Sequence, residues 1–167
     1  MPEALVPVGE YLSTAYHPDV DYVEGQLEDR NRGEREHGEL QARIWLLLKR
    51  HRGLQPFIET RLMISPSRYR VPDICAYEKP EDSIFTRPPA LCVEILSPED
   101  RMSRIMNVVR DYLAMGVQTV WVLDPLEKKA YVAEGAVSLR EASGSIAAAD
   151  GRVTLELDEV FSDEELI

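Results

Sequence analysis

The 167-residue sequence predicts a single mixed α/β domain, and three features carry that expectation. Apolar residues recur at helical spacing between Glu34 and His51. The run Ala90 to Leu96 is apolar on both faces except for Glu94, the pattern of a central strand covered on either side. A second helical stretch separates it from another buried strand at Thr119 to Leu123, so strands and helices mix around one sheet. The length suits one compact domain, 44% hydrophobic residues suffice for its core, and neither repeat nor long linker divides it, so the domain is expected to span residues 1–167.

Taken in order, Val8 to Tyr16 reads as a short opening helix stopped by Pro18. Asp21 to Leu27 alternates as a strand would around a turn at Glu24-Gly25, and a charged loop, Glu28 to Gly33, follows. The helix Glu34 to His51 places Leu40, Ile44, Leu47 and Leu48 in one stripe and ends near Gly53. Phe57 to Ile64 and Tyr69 to Tyr77 read as two strands joined by the Ser65-Pro66-Ser67 turn. After a loop with Pro80, Pro88 and Pro89 comes the central strand Ala90 to Leu96. Ser97-Pro98-Glu99-Asp100 has the composition of a helix start, with a capping hydroxyl, an early proline and acids at the positive dipole end, and that helix should run to Met115 and stop at Gly116. Thr119 to Leu123 is a buried strand, Asp124-Pro125 a turn, and Lys129 to Ala133 its hairpin partner. Val137 to Leu139 and Val153 to Leu157 are expected as edge strands, and Asp158 to Leu166 as a short terminal helix.

Composition excludes several classes. The apolar stretches Ile44 to Leu48 and Thr119 to Leu123 fall far short of the roughly 20 residues that a bilayer-spanning helix needs. The first residues lack the basic start and apolar run of a secretion signal, so a cytoplasmic location is expected. Cys75 and Cys92 lie in apolar strands without neighbouring His spacing, which points to core packing rather than a zinc site or disulfide framework. A net charge of −11 argues against nonspecific coating of nucleic acid, whose binding rests on neutralising phosphates. Basic residues nevertheless cluster at Arg30, Arg32 and Arg35, at Lys49 to Arg52, and at Arg61, Arg68 and Arg70, which leaves room for a local basic groove; solvated surface is the plainer reading of any one cluster.

Two acids stand out. Asp73 follows Pro72 inside a strand otherwise made of apolar residues, and Glu94 is the one charge in the central strand. An ionised carboxylate is costly to bury alone, so two of them on adjacent strands call for a hard cation or for basic partners. Mg²⁺ meets that demand with one or two carboxylates plus water and substrate phosphate. The alternative is structural: Asp73 caps a turn, and Glu94 pairs with an arginine such as Arg70 or Arg104.

The segments Val71-Pro72-Asp73-Ile74, Pro88 to Pro98 with its Val93-Glu94-Ile95-Leu96-Ser97-Pro98 core, Tyr112 to Val117, and Val120-Trp121-Val122-Leu123-Asp124-Pro125 resemble, in order and spacing, the signature of the Uma family within the PD-(D/E)XK nuclease superfamily. The likeness extends upstream to His37-Gly38-Glu39-Leu40 and covers roughly residues 20–135. It implies a restriction-endonuclease-like core, a central mixed sheet flanked by helices, with Asp73 and Glu94 as the acids that hold Mg²⁺ (Mn²⁺ as substitute) and DNA as the substrate. It also implies that Glu36 is a metal ligand and that His37 orients a water or contacts phosphate, although a surface helix start explains both equally well. Restriction-type nucleases often cut two strands with two subunits, so a homodimer is expected.

The chain departs from the superfamily at its lysine. Leu96 stands two residues after the second acid, and the position on the following helix from which Uma relatives often supply the lysine falls at or near Val108. Arg104 lies one turn earlier on the same face and offers a cation, suited to stabilising charge but not to acting as a base. Two readings therefore stand: an Mg²⁺-dependent endodeoxyribonuclease, or a nuclease fold that has lost efficient chemistry and binds DNA or protein. Trp45, Trp121, Tyr69 and Tyr77 are expected in the core, Glu39 in solvent and Asp124 in a turn.

Overall fold

The computed structural model describes residues 3–30, 34–80, 83–135 and 138–165. Helix α1 (Val8–Ser13) precedes a hairpin of β1 (Asp21–Val23) and β2 (Gln26–Glu28), and α2 spans Arg35–Lys49. Strands β3 (Gln55–Ile58), β4 (Leu62–Ser65), β5 (Arg68–Arg70), β6 (Ile74–Tyr77) and β7 (Leu91–Ile95) lead to α3 (Met102–Met115). Then come β8 (Thr119–Asp124), β9 (Lys129–Glu134), β10 (Ser138–Glu141), β11 (Ser145–Ala148), β12 (Val153–Glu156) and α4 (Leu157–Val160). The mixed α/β expectation holds. A six-stranded sheet, β10-β9-β8-β7-β6-β3, is antiparallel except for β7 and β8, which α3 joins as a crossover.

Side-chain alternation along the central strands divides the core between two helices. Leu91, Val93 and Ile95 of β7 and Ile74 and Ala76 of β6 pack on the side of α2, with Leu40, Ile44, Leu47 and Leu48. Cys92, Cys75 and Tyr77 point the other way, toward Ile105, Val108, Val109 and Tyr112 of α3. Burying each large aliphatic of the α2 stripe contributes roughly 1.5–3 kcal/mol, so that stripe holds α2 in place. A third cluster, Tyr11, Val20, Tyr22 and Tyr69, fills the space between α1 and a four-stranded sheet ordered β2-β1-β5-β4. Cys75 and Cys92 are free thiols in the core, and the indole N–H groups of Trp45 and Trp121 donate to Pro56 O and Ala147 O. Among the described residues no helix is long and apolar enough to cross a membrane.

Three expectations change. The two long strands Phe57–Ile64 and Tyr69–Tyr77 form one bent hairpin: Ile58 pairs with Ile74 in the large sheet and Leu62 with Arg70 in the small one, in a single register broken between them. Glu59, at φ 50°, and Pro72, which has no N–H for a ladder, make the bend. The helix expected from Ser97 starts instead at Met102. Asp100 accepts from the Ser97 N–H at 2.7 Å while its own N–H returns to Ser97 O at 3.0 Å, so the capping composition closes a turn. The expected C-terminal helix is a single turn, α4, and β11 is an unanticipated strand. The helix stop at Gly116 is as expected: at φ 107° it ends α3 with Val117 N–H bonded to Tyr112 O. Gly33, Val137 and Leu166, at ends of expected segments, lie outside the described residues.

Candidate active site

Asp73 and Glu94 are brought together by strand register. Ile74 faces Val93 and Cys75 faces Cys92, so one further step of the same antiparallel pairing sets Asp73 opposite Glu94. Alternation aims Glu94 at α3, and Asp73 stands between Pro72 and the start of β6. Both are buried, at 4% and 6% exposure.

Three elements hold Asp73. Its Oδ2 accepts the Ile95 N–H at 2.8 Å and lies 3.4 Å from His37 Nε2; its Oδ1 accepts from Arg30 Nη2 at 2.8 Å. One turn after His37 on α2, Gln41 donates from Nε2 to the Asp73 carbonyl at 2.9 Å, so the start of the helix grips the residue twice. Glu94 Oε1 accepts a hydrogen bond from the buried Tyr112 hydroxyl, and no other hydrogen bond reaches that carboxylate among the described residues.

The charges explain the titration behaviour. Burial, reinforced by the neighbouring Asp73 charge and only partly relieved by the Tyr112 bond and Arg30, pushes Glu94 up to about 8. Burial likewise raises the Tyr112 hydroxyl well above its usual range, with Glu94 adding to the effect. For His37, burial works against the charged form, but the hydrogen bond and charge of Asp73 outweigh it and raise its pKa. Burial also opposes the Arg30 charge, and Asp73, Glu94, Asp21 and Glu59 together overcome it.

Arg30, His37, Asp73, Glu94, Ile95, Ser97, Asp100 and Arg104 surround a polar cavity of about 10 Å³, room for roughly one water-sized sphere. The donor types fit a hard divalent cation: two carboxylates that line one cavity, with water and substrate oxygens left to complete the shell. Among the described residues no group of three or more His, Cys, Asp and Glu is arranged as a metal site. Any ion that reached Oδ1 of Asp73 would meet Arg30 there.

Of the residues expected from sequence, Asp73, Glu94, His37 and Arg104 line this cavity, and Glu36 does not. Glu36 is exposed and borders a separate groove of about 870 Å³ with Arg35, Glu39, Arg43, Phe161 and Asp163, between α2 and the C-terminal segment. Residue 36 lies about 100° round α2 from His37, so it turns out to solvent while its neighbour turns in to Asp73. Arg104 reaches the cavity from α3 while its Nη1 lies 3.3 Å from Asp100 Oδ1. Val108, one turn further along, is 1% exposed in the core, with Tyr112 a turn beyond it, so the stripe that borders Glu94 carries no lysine.

The sequence reading missed Arg30, Tyr112 and Ser97. Arg30 was visible only as one of two arginines in a charged loop, and Tyr112 only as part of the family-like segment. The structural alternative for the acids is also revised: Arg70 bonds Asp21, Glu28 and Asp111, at 2.7–3.0 Å, and leaves Glu94 alone. Arg61 and Arg68 are likewise engaged, with Asp19 and with Asp111.

Comparison with known proteins agrees with this architecture. A solved structure described as a putative nuclease belonging to DUF820, from Anabaena variabilis, superposes with a TM-score of 0.80 at 20% identity, covering 94% of this chain and 98% of that one. No curated protein matches the sequence. The profile of the Uma2 family, described as "Putative restriction endonuclease", matches residues 9–158, nearly the whole chain. With its register-paired acids on a mixed sheet between two helices, the chain belongs to the Uma2 family.

Proposed function

We propose that this protein is an endonuclease that hydrolyses DNA phosphodiester bonds with the help of Mg²⁺, for which Mn²⁺ can substitute. The observation that carries the reading is the meeting of two buried carboxylates, Asp73 and Glu94, in one polar cavity whose walls also bear Arg30 and Arg104. When bound, the cation supplies charge neutralisation and activates water for attack at phosphorus.

The chain's own groups do the rest. Asp73 and Glu94 hold the ion, and Tyr112 fixes the Glu94 rotamer from behind. His37 and the Ile95 N–H orient Asp73, which makes His37 a positioning residue. Arg104 lines the cavity with a quarter of its side chain exposed and would meet the phosphate, where a guanidinium offsets the charge that builds on the equatorial oxygens. A fixed guanidinium takes no proton from water, so this site stabilises charge and lacks a dedicated lysine. DNA contact is local to this mouth, consistent with a chain whose net charge is −11.

Supercoiled plasmid incubated with Mg²⁺ or Mn²⁺ tests the proposal. Nicking by the wild type that disappears in Asp73→Asn and Glu94→Gln supports it, and equal nicking in all three proteins contradicts it.

A second reading, a nuclease fold that binds DNA or protein with little chemistry, has two observations of its own. Asp73 already carries an arginine at 2.8 Å, and Val108 seals the helix stripe with an apolar side chain. Binding of a DNA duplex without calorimetrically detectable metal binding would favour it.

A further inference from the structure

We propose that Arg30 is an exchangeable counter-ion: it neutralises Asp73 in the resting site and moves to the substrate phosphodiester when nucleic acid binds, so that divalent cation and substrate bind cooperatively. This rests on the nuclease reading above and adds to it the order in which the charges are exchanged.

The placement of Arg30 carries the inference. It follows β2 in the segment leading to α2 and belongs to neither sheet ladder nor helix. Its side chain is nevertheless 10% exposed, with Nη2 at 2.8 Å from Asp73 Oδ1. Its other terminal nitrogen lies 3.7 Å from Oε1 of Glu59, a half-exposed and therefore weak partner. Asp73 Oδ2 is already engaged by the Ile95 N–H and His37, so Oδ1 is the oxygen open to exchange. With Arg30 in place the cavity measures about 10 Å³, too little for an ion together with a phosphate oxygen.

Charge balance then dictates coupling. If Arg30 left alone, a buried carboxylate would stand unpaired, which is strongly unfavourable. If an ion entered alone, the guanidinium would be left with only the half-exposed Glu59. When both ligands arrive, the cation takes Asp73 and the guanidinium fork takes the phosphate, a group it matches in geometry, so every charge is paired before and after. Two ligands whose binding each removes the other's obstacle have a favourable coupling free energy, and it is reciprocal.

The test measures Mn²⁺ affinity by calorimetry with and without a short, slowly cleaved phosphorothioate DNA duplex, for the wild type and Arg30→Gln. In the wild type the duplex should tighten Mn²⁺ binding by about tenfold or more. Arg30→Gln should bind Mn²⁺ about tenfold more tightly than wild type when no duplex is present, bind duplex more weakly in chelator, and lose most of the coupling. An arginine that merely braced the loop would instead weaken all three when replaced. Folding is checked by far-ultraviolet circular dichroism, with Arg30→Met as a second replacement of similar length.

Unchanged or weaker Mn²⁺ binding by a folded variant, or full coupling without Arg30, overturns the proposal and leaves the nuclease reading standing. Unfolding of both variants assigns Arg30 to the frame of the protein and also overturns it. A wild type that binds no Mn²⁺ even with duplex present removes the nuclease reading and this inference with it.

Discussion

Glu94 should make the protein less stable as the pH rises from about 5 to 8 in the absence of divalent ions. The carboxyl is buried beside Asp73, and its pKa moves from 4.5 to about 8 on folding. Below the lower value it is protonated in both states and contributes nothing to pH dependence. Between the two values the unfolded chain releases the proton while the folded chain retains it, so each pH unit favours unfolding by about 1.4 kcal/mol. Above about 8 both forms are ionised and the loss stops growing. Over the whole window the loss is on the order of 3–5 kcal/mol, a large share of the 5–15 kcal/mol that keeps an ordinary domain folded. Guanidinium denaturation at a series of pH values in chelator, for wild type and Glu94→Gln, isolates this contribution. His37 has a raised pKa as well, and its contribution is likewise lost as pH rises, but it is present in both proteins and cancels in the comparison. The wild-type curve should fall relative to the variant through this window and recover with Mn²⁺, because the ion favours the ionised carboxylate. Parallel curves for the two proteins would refute the placement of Glu94 in a buried site charged by Asp73.

Further outcomes follow from the same contacts. Arg70→Met strips Asp21 and Asp111 of a buried partner 3% exposed, and should cost about 3–5 kcal/mol in denaturant while leaving Asp73 and Glu94 chemically intact. Val108→Lys puts an ammonium on the α3 stripe between Arg104 and Tyr112, and should raise the single-turnover rate of DNA cleavage by about tenfold or more if the folded yield is preserved. A rate no higher than wild type would show that the stripe beside Glu94 does not reach the reacting phosphate.

Much of this fold could be read from residue order because the signals were local. Glu94 was conspicuous as the one charge in an apolar strand, Leu40 to Leu48 defined α2 by periodicity, and Gly116 ended α3 where a left-handed residue was needed. What failed depended on distance or on a local pattern with two outcomes. The bent hairpin kept one register through the break, so Pro72 was the one sequence signal that β4 and β5 leave the large sheet. Ser97-Pro98-Glu99-Asp100 satisfies the preferences of a helix start and of a closed turn alike, and Asp100 settles on the Ser97 N–H. Arg30 meets Asp73 across 43 residues of sequence, and Arg70 meets Asp111 across 41, so the partner of each buried charge was fixed by topology rather than by neighbours. Glu36 and His37 were inseparable as candidates until the helix turned one inward and the other out.

Metal binding by the duplex-bound protein decides whether the acid pair is a cation site. Titrating Mn²⁺ into wild type and Asp73→Asn by calorimetry, with short DNA duplex present, should give saturable binding of a single ion to the wild type and none to the variant. Saturable binding that survives in Asp73→Asn, or a wild type that takes up no ion at all, would contradict it.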